Sequence, residues 1–171
     1  PLAGKRFKLE AIMFGELLNK SVIEMYGSKN LWNLAREINE LANNMYKAKG
    51  NYIKLLHAGE IESLAAAAEC EGTLVVDERT TRLLVEDPET LASLLRRKLH
   101  TNVHVDKKKL KDFSSKIGNI NIIRSSELMT VAYELGLFDE YIVSNSSEEL
   151  LDGLLWGLKL RGCSIGSNEI D

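Results

Sequence analysis

The stretch from Gly59 to Leu84, GEIESLAAAAECEGTLVVDERTTRLL, constrains the fold more than any other, because it joins an acid-opened helix to an apolar strand ending in more acid. Glu60 to Glu71 has strong helix formers and no breaker, so a helix is expected there, with Leu64, Ala67 and Ala68 facing inward at helical spacing. Gly72 is the expected stop. Thr73 to Val76 reads as a short strand of the kind covered on both faces in an α/β sheet, with Asp77 and Glu78 at its carboxyl end. Open α/β sheets carry their chemistry at that edge.

Glu60 falls in the first turn of its helix, where the helix dipole favours a carboxylate. With Asp77 at the strand tip, two acids are positioned to share a divalent cation. Mg²⁺ and Mn²⁺ prefer carboxylate oxygen and keep several waters, so a few converging acids suffice. The same residues have a plainer use, Glu60 as a helix cap and Asp77 to Arg79 as a solvated turn.

This stretch resembles the central motif of the PIN-domain nucleases, in the branch where a G-E-x-E-A-x-A-x-A helix leads into a strand ending in D-E and then a basic helix. Other segments fit in the same order: YIKLL at Tyr52 to Leu56, IIRSSELMTVAYELGLF at Ile122 to Phe138, and LLDGLLWGLKLRGCSIG at Leu150 to Gly166. EAIMFGELLNKSV, Glu10 to Val22, is similar to the place where a strand enters the helix carrying the family's second acid, which maps onto Glu16.

The resemblance implies a three-layer α/β/α domain and hydrolysis of RNA phosphodiesters by one or two Mg²⁺ or Mn²⁺ ions. Glu60 and Asp77 would be metal ligands, Glu16 a ligand or water-holder, and Glu78 a second-sphere or second-metal acid. Arg79 and Arg82, just past the strand, would meet phosphate. Toxin ribonucleases paired with an antitoxin and archaeal RNA-processing proteins both belong to this group, so an antitoxin or an RNA-processing protein is an expected partner beside RNA.

Two departures stand out. The family opens with a strand ending in D-x-N or D-T-S, and none precedes Glu16; the chain starts at Pro1 without a Met, so the expectation is a leading segment removed ahead of it. The second is an insertion from about Val85 to Asn121, where the family has a short helix and turn. Within it Asp87 caps a helix with Pro88 at its first position, Val103 to Val105 is a strand, and DKKKLKDF brings Lys107, Lys108, Lys109 and Lys111. Those lysines read as a solvated helix face or as an arm contacting backbone phosphate.

At 171 residues, with 44% hydrophobic and 27% charged, the chain is the size and composition of one globular domain. Its net charge of -3 gives no overall electrostatic footprint for nucleic acid, so binding requires a local patch. Cys70 and Cys163 make no spaced ligand set, and His57, His100 and His104 lack zinc spacing. No signal peptide or membrane-length apolar run is evident, and a cytoplasmic protein without membrane contact is expected.

The remaining periodicity predicts helices over Ala11 to Tyr26, Leu31 to Lys49, Leu128 to Leu135 and from Ser147 onward, with Ile120 to Ile123 a strand. In the second helix Trp32, Leu34, Ala35, Ile38, Leu41, Ala42 and Met45 share a face, for the core or a homodimer. Ser125 or Ser126 would cap the helix after the Ile120 strand. Strands alternating with helices predict one domain with a mainly parallel sheet and right-handed crossovers. A PIN-like module that has lost catalysis and binds RNA or protein is the alternative reading.

Overall fold

Helix α3 (Ala58–Glu69) begins and ends two residues before the expected Glu60 to Glu71, and strand β3 (Thr73–Val75) starts where expected and is one residue shorter. The computed structural model describes residues 8–142, 147–163 and 165–170, and over these the chain is mixed α/β. Ile61, Leu64, Ala65 and Ala67 are the buried positions of α3, so its inner face is turned slightly from the expected one and Ala68 is half-buried. Glu71, not Gly72, takes the left-handed conformation after the helix, at φ 50, and the Gly72 N–H donates to the Ala67 carbonyl at 2.9 Å.

Strand β5 (Asn121–Ile123) lies parallel to β3 with Leu74 opposite Ile122. The expected cover on both faces of β3 is absent: Leu74 is buried, whereas Thr73 and Val75 are exposed. Leu74 packs into the core that α3 also lines, and the alternation of side chains leaves its two neighbours pointing away from that core.

The helix expected over Leu31 to Lys49 is shorter. Helix α2 runs Lys29–Ala42, with the Ser28 hydroxyl accepting from Leu31 N–H and donating to Glu69 across the start of α2 and the end of α3. Its buried row is Leu31, Ala35, Ile38 and Ala42. Trp32, expected inside, is 58% exposed because it lies about 100° round the helix from Leu31. Asn43 ends the helix: its side-chain oxygen accepts from the N–H groups of Leu55 (2.7 Å) and Leu56 (2.9 Å), and its amide donates to the Leu56 carbonyl at 3.0 Å. Those backbone bonds release the following residues into a hairpin.

That hairpin is β1 (Tyr46–Ala48) and β2 (Asn51–Tyr52), joined by Lys49 and Gly50 with φ 50 and φ 82, the double left-handed pattern of a tight two-residue turn. Strand β4 (Val103–Val105) pairs antiparallel on the other side of β1. Among the described residues the sheets are thus β2-β1-β4, antiparallel, and β3-β5, parallel, and the mainly parallel arrangement expected is confined to the pair that carries Asp77. A two-residue turn permits only antiparallel pairing, which accounts for β1 with β2.

The insertion supplies helix α5 (Pro88–Leu99), β4 and helix α6 (Lys107–Ile117), and it is no appendage. Leu91, Ala92, Leu95, Val103, Phe113 and Ile117 are buried in the same cluster as Ile38, Leu64 and Leu74. Asp87 caps α5 as expected, accepting from Thr90 N–H at 3.0 Å. Tyr46 is buried beside that helix start, its hydroxyl donating to the Pro88 carbonyl at 3.1 Å, and burial together with the Glu89 charge pushes its phenol up to about 12.

Helix α4 (Arg79–Glu86) follows β3, helix α7 (Ser125–Glu134) follows β5, and helix α8 (Ser147–Leu160) contacts α7. Ser147 begins α8 as the sequence suggests, but its side chain lies outside the described residues. On α8 Leu155 is buried with Ile165 and Ile170 in a second, small cluster. Helix α1 is Lys8–Asn19 rather than Ala11 to Tyr26; Ser21 turns left-handed at φ 54, and none of the residues of α1 is buried. Among the described residues no helix is long and apolar enough to cross a membrane.

Candidate active site at the β3–β5 edge

Parallel pairing sends β3 and β5 out at one edge, and each is followed by a helix, so the starts of α4 and α7 meet there. Asp77 is the joint. Its Oδ1 accepts from the Ser125 N–H at 2.9 Å and its Oδ2 from the Ser125 hydroxyl at 2.7 Å, which sets the carboxylate on the positive end of α7. Burial works against its charge, but the Ser125 hydroxyl and N–H, with help from Cys163 and the Arg82 charge, outweigh it and hold the carboxyl below its ordinary range. Asp77 is therefore ionised at neutral pH.

Glu78 caps α4. Its Oε2 accepts from Thr81 N–H at 2.6 Å and Thr81 Oγ1 at 3.0 Å. Burial opposes ionisation here too, and the bonds from Thr80 and Thr81 win, so this carboxyl is also held low. Arg82, one turn along, is half-buried with an Nε that has no hydrogen-bond partner among the described residues, and its charge acts on both Asp77 and Glu169. Arg79 is exposed at the first position of α4.

Glu60 stands at the third position of α3 and accepts from the His57 N–H, closing the helix start on itself. It also lines a cleft of about 350 Å³ whose wall is His57, Ser63, Leu74, Val75, Val76 and Thr81. The cleft thus runs along β3 from Glu60 to the residue bonded to Glu78, ending one residue short of Asp77.

The sequence-predicted acids divide accordingly. Asp77 and Glu78 follow the outgoing end of β3 and Glu60 lines the cleft beside that strand, each engaged by a backbone N–H, whereas Glu16 lies exposed on α1. Among the described residues no three His, Cys, Asp or Glu side chains stand together at metal-binding distance. The lysines of the insertion are elsewhere: Lys107 and Lys108 are exposed in the first turn of α6, and Lys109 reaches back to donate to the Asn44 carbonyl at 3.1 Å.

Ser125 is the partner of Asp77 that periodicity misses. Capping rules offer it as a cap of α7, but the cap position belongs to Arg124, whose N–H donates to Glu127 at 2.7 Å. Ser125 instead binds Asp77, and Cys163 Sγ lies 3.4 Å from its Oγ. A serine following a second strand, when the first strand ends in aspartate, is the signal that could find it. No family model matches this chain, and no characterised protein or solved structure does either.

Proposed function

We propose that this chain is a metal-dependent ribonuclease of PIN type, a three-layer α/β/α domain that hydrolyses RNA phosphodiesters with Mg²⁺ or Mn²⁺. The observation that carries the proposal is Asp77, held by the Ser125 N–H at the carboxyl edge of a parallel strand pair, with the Glu60-lined cleft beside it. Glu60, Asp77 and Glu78 are hard oxygen donors of the kind such a cation takes; among the described residues no three acids stand together, so they would hold the ion with water supplying the remaining ligands. Bound there, the ion would acidify a water and neutralise charge on the phosphate.

The chain's own groups do the rest. Ser125 fixes the Asp77 carboxylate in its charged form, so no proton has to leave before a cation is met. Arg82 holds positive charge next to Asp77, and Arg79 presents another to solvent one helical turn earlier; both suit phosphate oxygens. An antitoxin, an RNA-processing partner and a homodimer remain proposals of the same reading, as does a cytoplasmic site of action.

Glu60→Gln is the clean test. Gln serves a helix start as Glu does, so the N–H of His57 keeps its acceptor and only the charge is lost. With labelled single-stranded RNA the full chain is expected to cleave in Mg²⁺ or Mn²⁺ and to stop in EDTA, and Glu60→Gln to be slower by roughly 100-fold. Undiminished cleavage by Glu60→Gln, or cleavage that survives EDTA, contradicts the proposal. One observation favours a second reading, an RNA- or protein-binding module without catalysis: Glu60, Asp77 and Glu78 all have structural work at helix starts. Under that reading RNA is bound but stays intact in both metals.

A further inference from the structure

The outer face of the β2-β1-β4 sheet carries a row of three side chains across its strands. Lys47 is directly opposite Tyr52 on one side and His104 on the other, and directly paired residues of an antiparallel sheet project to the same face. Tyr46, Ala48, Val103 and Val105 belong to the opposite parity, and Tyr46 and Val103 are buried. The row itself is open: Tyr52 is 50% exposed, His104 is exposed and Lys47 is half-exposed. Two ammonium groups reach the aromatic ring, Lys47 Nζ at 4.2 Å from its centroid and Lys109 Nζ at 5.1 Å. The hairpin from Tyr46 to Lys54 holds three lysines and no acid, in a chain whose net charge is -3.

From this geometry we propose that the sheet face centred on Tyr52 binds single-stranded RNA, a base stacking on the Tyr52 ring while Lys47 and Lys109 pair with the flanking phosphates. An aromatic side chain on an open sheet face, bordered by cations, is what an unpaired base and its backbone require, and a duplex does not offer its base faces. Lys47 is placed to exchange the aromatic face for phosphate when a base arrives, and Lys109, which also donates to the Asn44 carbonyl at 3.1 Å, keeps further ammonium donors for phosphate. Lys47, through a hydrogen bond, and the Lys109 charge also hold the Tyr52 phenol below its ordinary range.

The start of α6 adds to this. Lys107, Lys108 and Lys109 occupy its first turn and add positive charge beside the sheet face. Asp106 is the acid at hand, and its Oδ1 is taken by the N–H groups of Lys108 and Lys109 at 3.1 Å each. The acids Glu37, Glu40 and Asp112 line a cavity of about 720 Å³ between α2 and α6 that Lys109 also lines, so Lys109 stands between those acids and the Tyr52 ring.

The inference rests on the RNA part of the proposed function and not on cleavage, and the test keeps the two apart. Binding of a fluorescein-labelled oligouridine to the full chain is followed by anisotropy in EDTA, where metal-dependent cleavage is silent. Tyr52→Leu is expected to weaken binding roughly 10-fold, and Tyr52→Phe to bind as the parent does, because the ring and not the hydroxyl is used. Lys47→Gln is expected to weaken binding and lower the salt-dependence slope by about one. Tyr52→Leu binding as tightly as the parent, duplex RNA bound as well as the single strand, or no RNA binding at all would overturn the inference. RNA bound through Tyr52 yet never cleaved in Mn²⁺ would overturn the nuclease reading alone.

Discussion

Asp77→Asn is expected to leave a folded chain that no longer cleaves RNA, the largest effect on activity that any single change should have. Asn can keep the local geometry: its oxygen accepts from the Ser125 N–H, and its amide donates to a Ser125 hydroxyl that is free to rotate. What goes is the negative charge. Replacing a charged acceptor by a neutral one at a half-buried site should cost about 1 kcal/mol of stability, a few degrees in the thermal midpoint. Loss of the anion that a cation needs should lower cleavage by at least three orders of magnitude, since the charge interaction is worth several kcal/mol. The pairing of small stability loss with abolished activity is the signature to look for.

The pH dependence of that stability difference has a fixed sign. Asp77 is held below its unfolded value, near 3.9 for an ordinary aspartate, so its contribution is fully present above about pH 4 and is lost as pH falls through the folded value. Parent and Asp77→Asn should therefore differ in urea midpoint at neutral pH and converge in acid. A difference that persists unchanged at pH 2 would mean that the carboxylate charge is not what holds Ser125.

Phe113→Ala is expected to destabilise the domain by about 3 to 5 kcal/mol, the range for deleting a fully buried phenylalanine, a large part of the roughly 5 to 15 kcal/mol of a typical domain. Phe113 is completely buried on α6, and α6 packs against both α2 and α3. The insertion therefore holds up the helix that carries Glu60. If Lys107 to Lys109 sat on a detachable arm, Phe113→Ala would leave the urea midpoint of the main transition untouched. Packing of α6 into the shared core requires that midpoint to fall.

Local signals carry the central stretch. The Ala-rich helix, the Leu74 strand, the Asp87-Pro88 helix start and the Val103 strand depend on propensity, capping and short-range periodicity, and each stands where those rules put it. What escapes them is set by partners far along the chain. Helix α2 ends at Ala42 and not at Lys49 because the Asn43 amide bonds with Leu55 and Leu56, and nothing within the Leu31 to Lys49 periodicity encodes that. Trp32 fits a broad apolar stripe but misses the narrower arc that α3 and α6 cover.

The site divides in the same way. That Asp77 belongs at a strand tip and Glu60 in a first helical turn is legible, because both follow from neighbours in sequence. That Ser125, 48 residues further on, takes both oxygens of Asp77 is not, since it depends on β3 and β5 being parallel neighbours. Glu16 marks the limit of motif spacing: α1 buries none of its residues, so no packing fixes that acid against the β3 edge.

The most direct measurement is the position of Mn²⁺ in crystals of this chain, read from anomalous scattering at millimolar Mn²⁺. A peak about 2.2 Å from carboxylate oxygens of Asp77 and Glu60, absent from Asp77→Asn crystals, is the expected result. A chain that cleaves RNA while its Mn²⁺ sits away from the β3 edge, or binds there equally without the Asp77 charge, would contradict it.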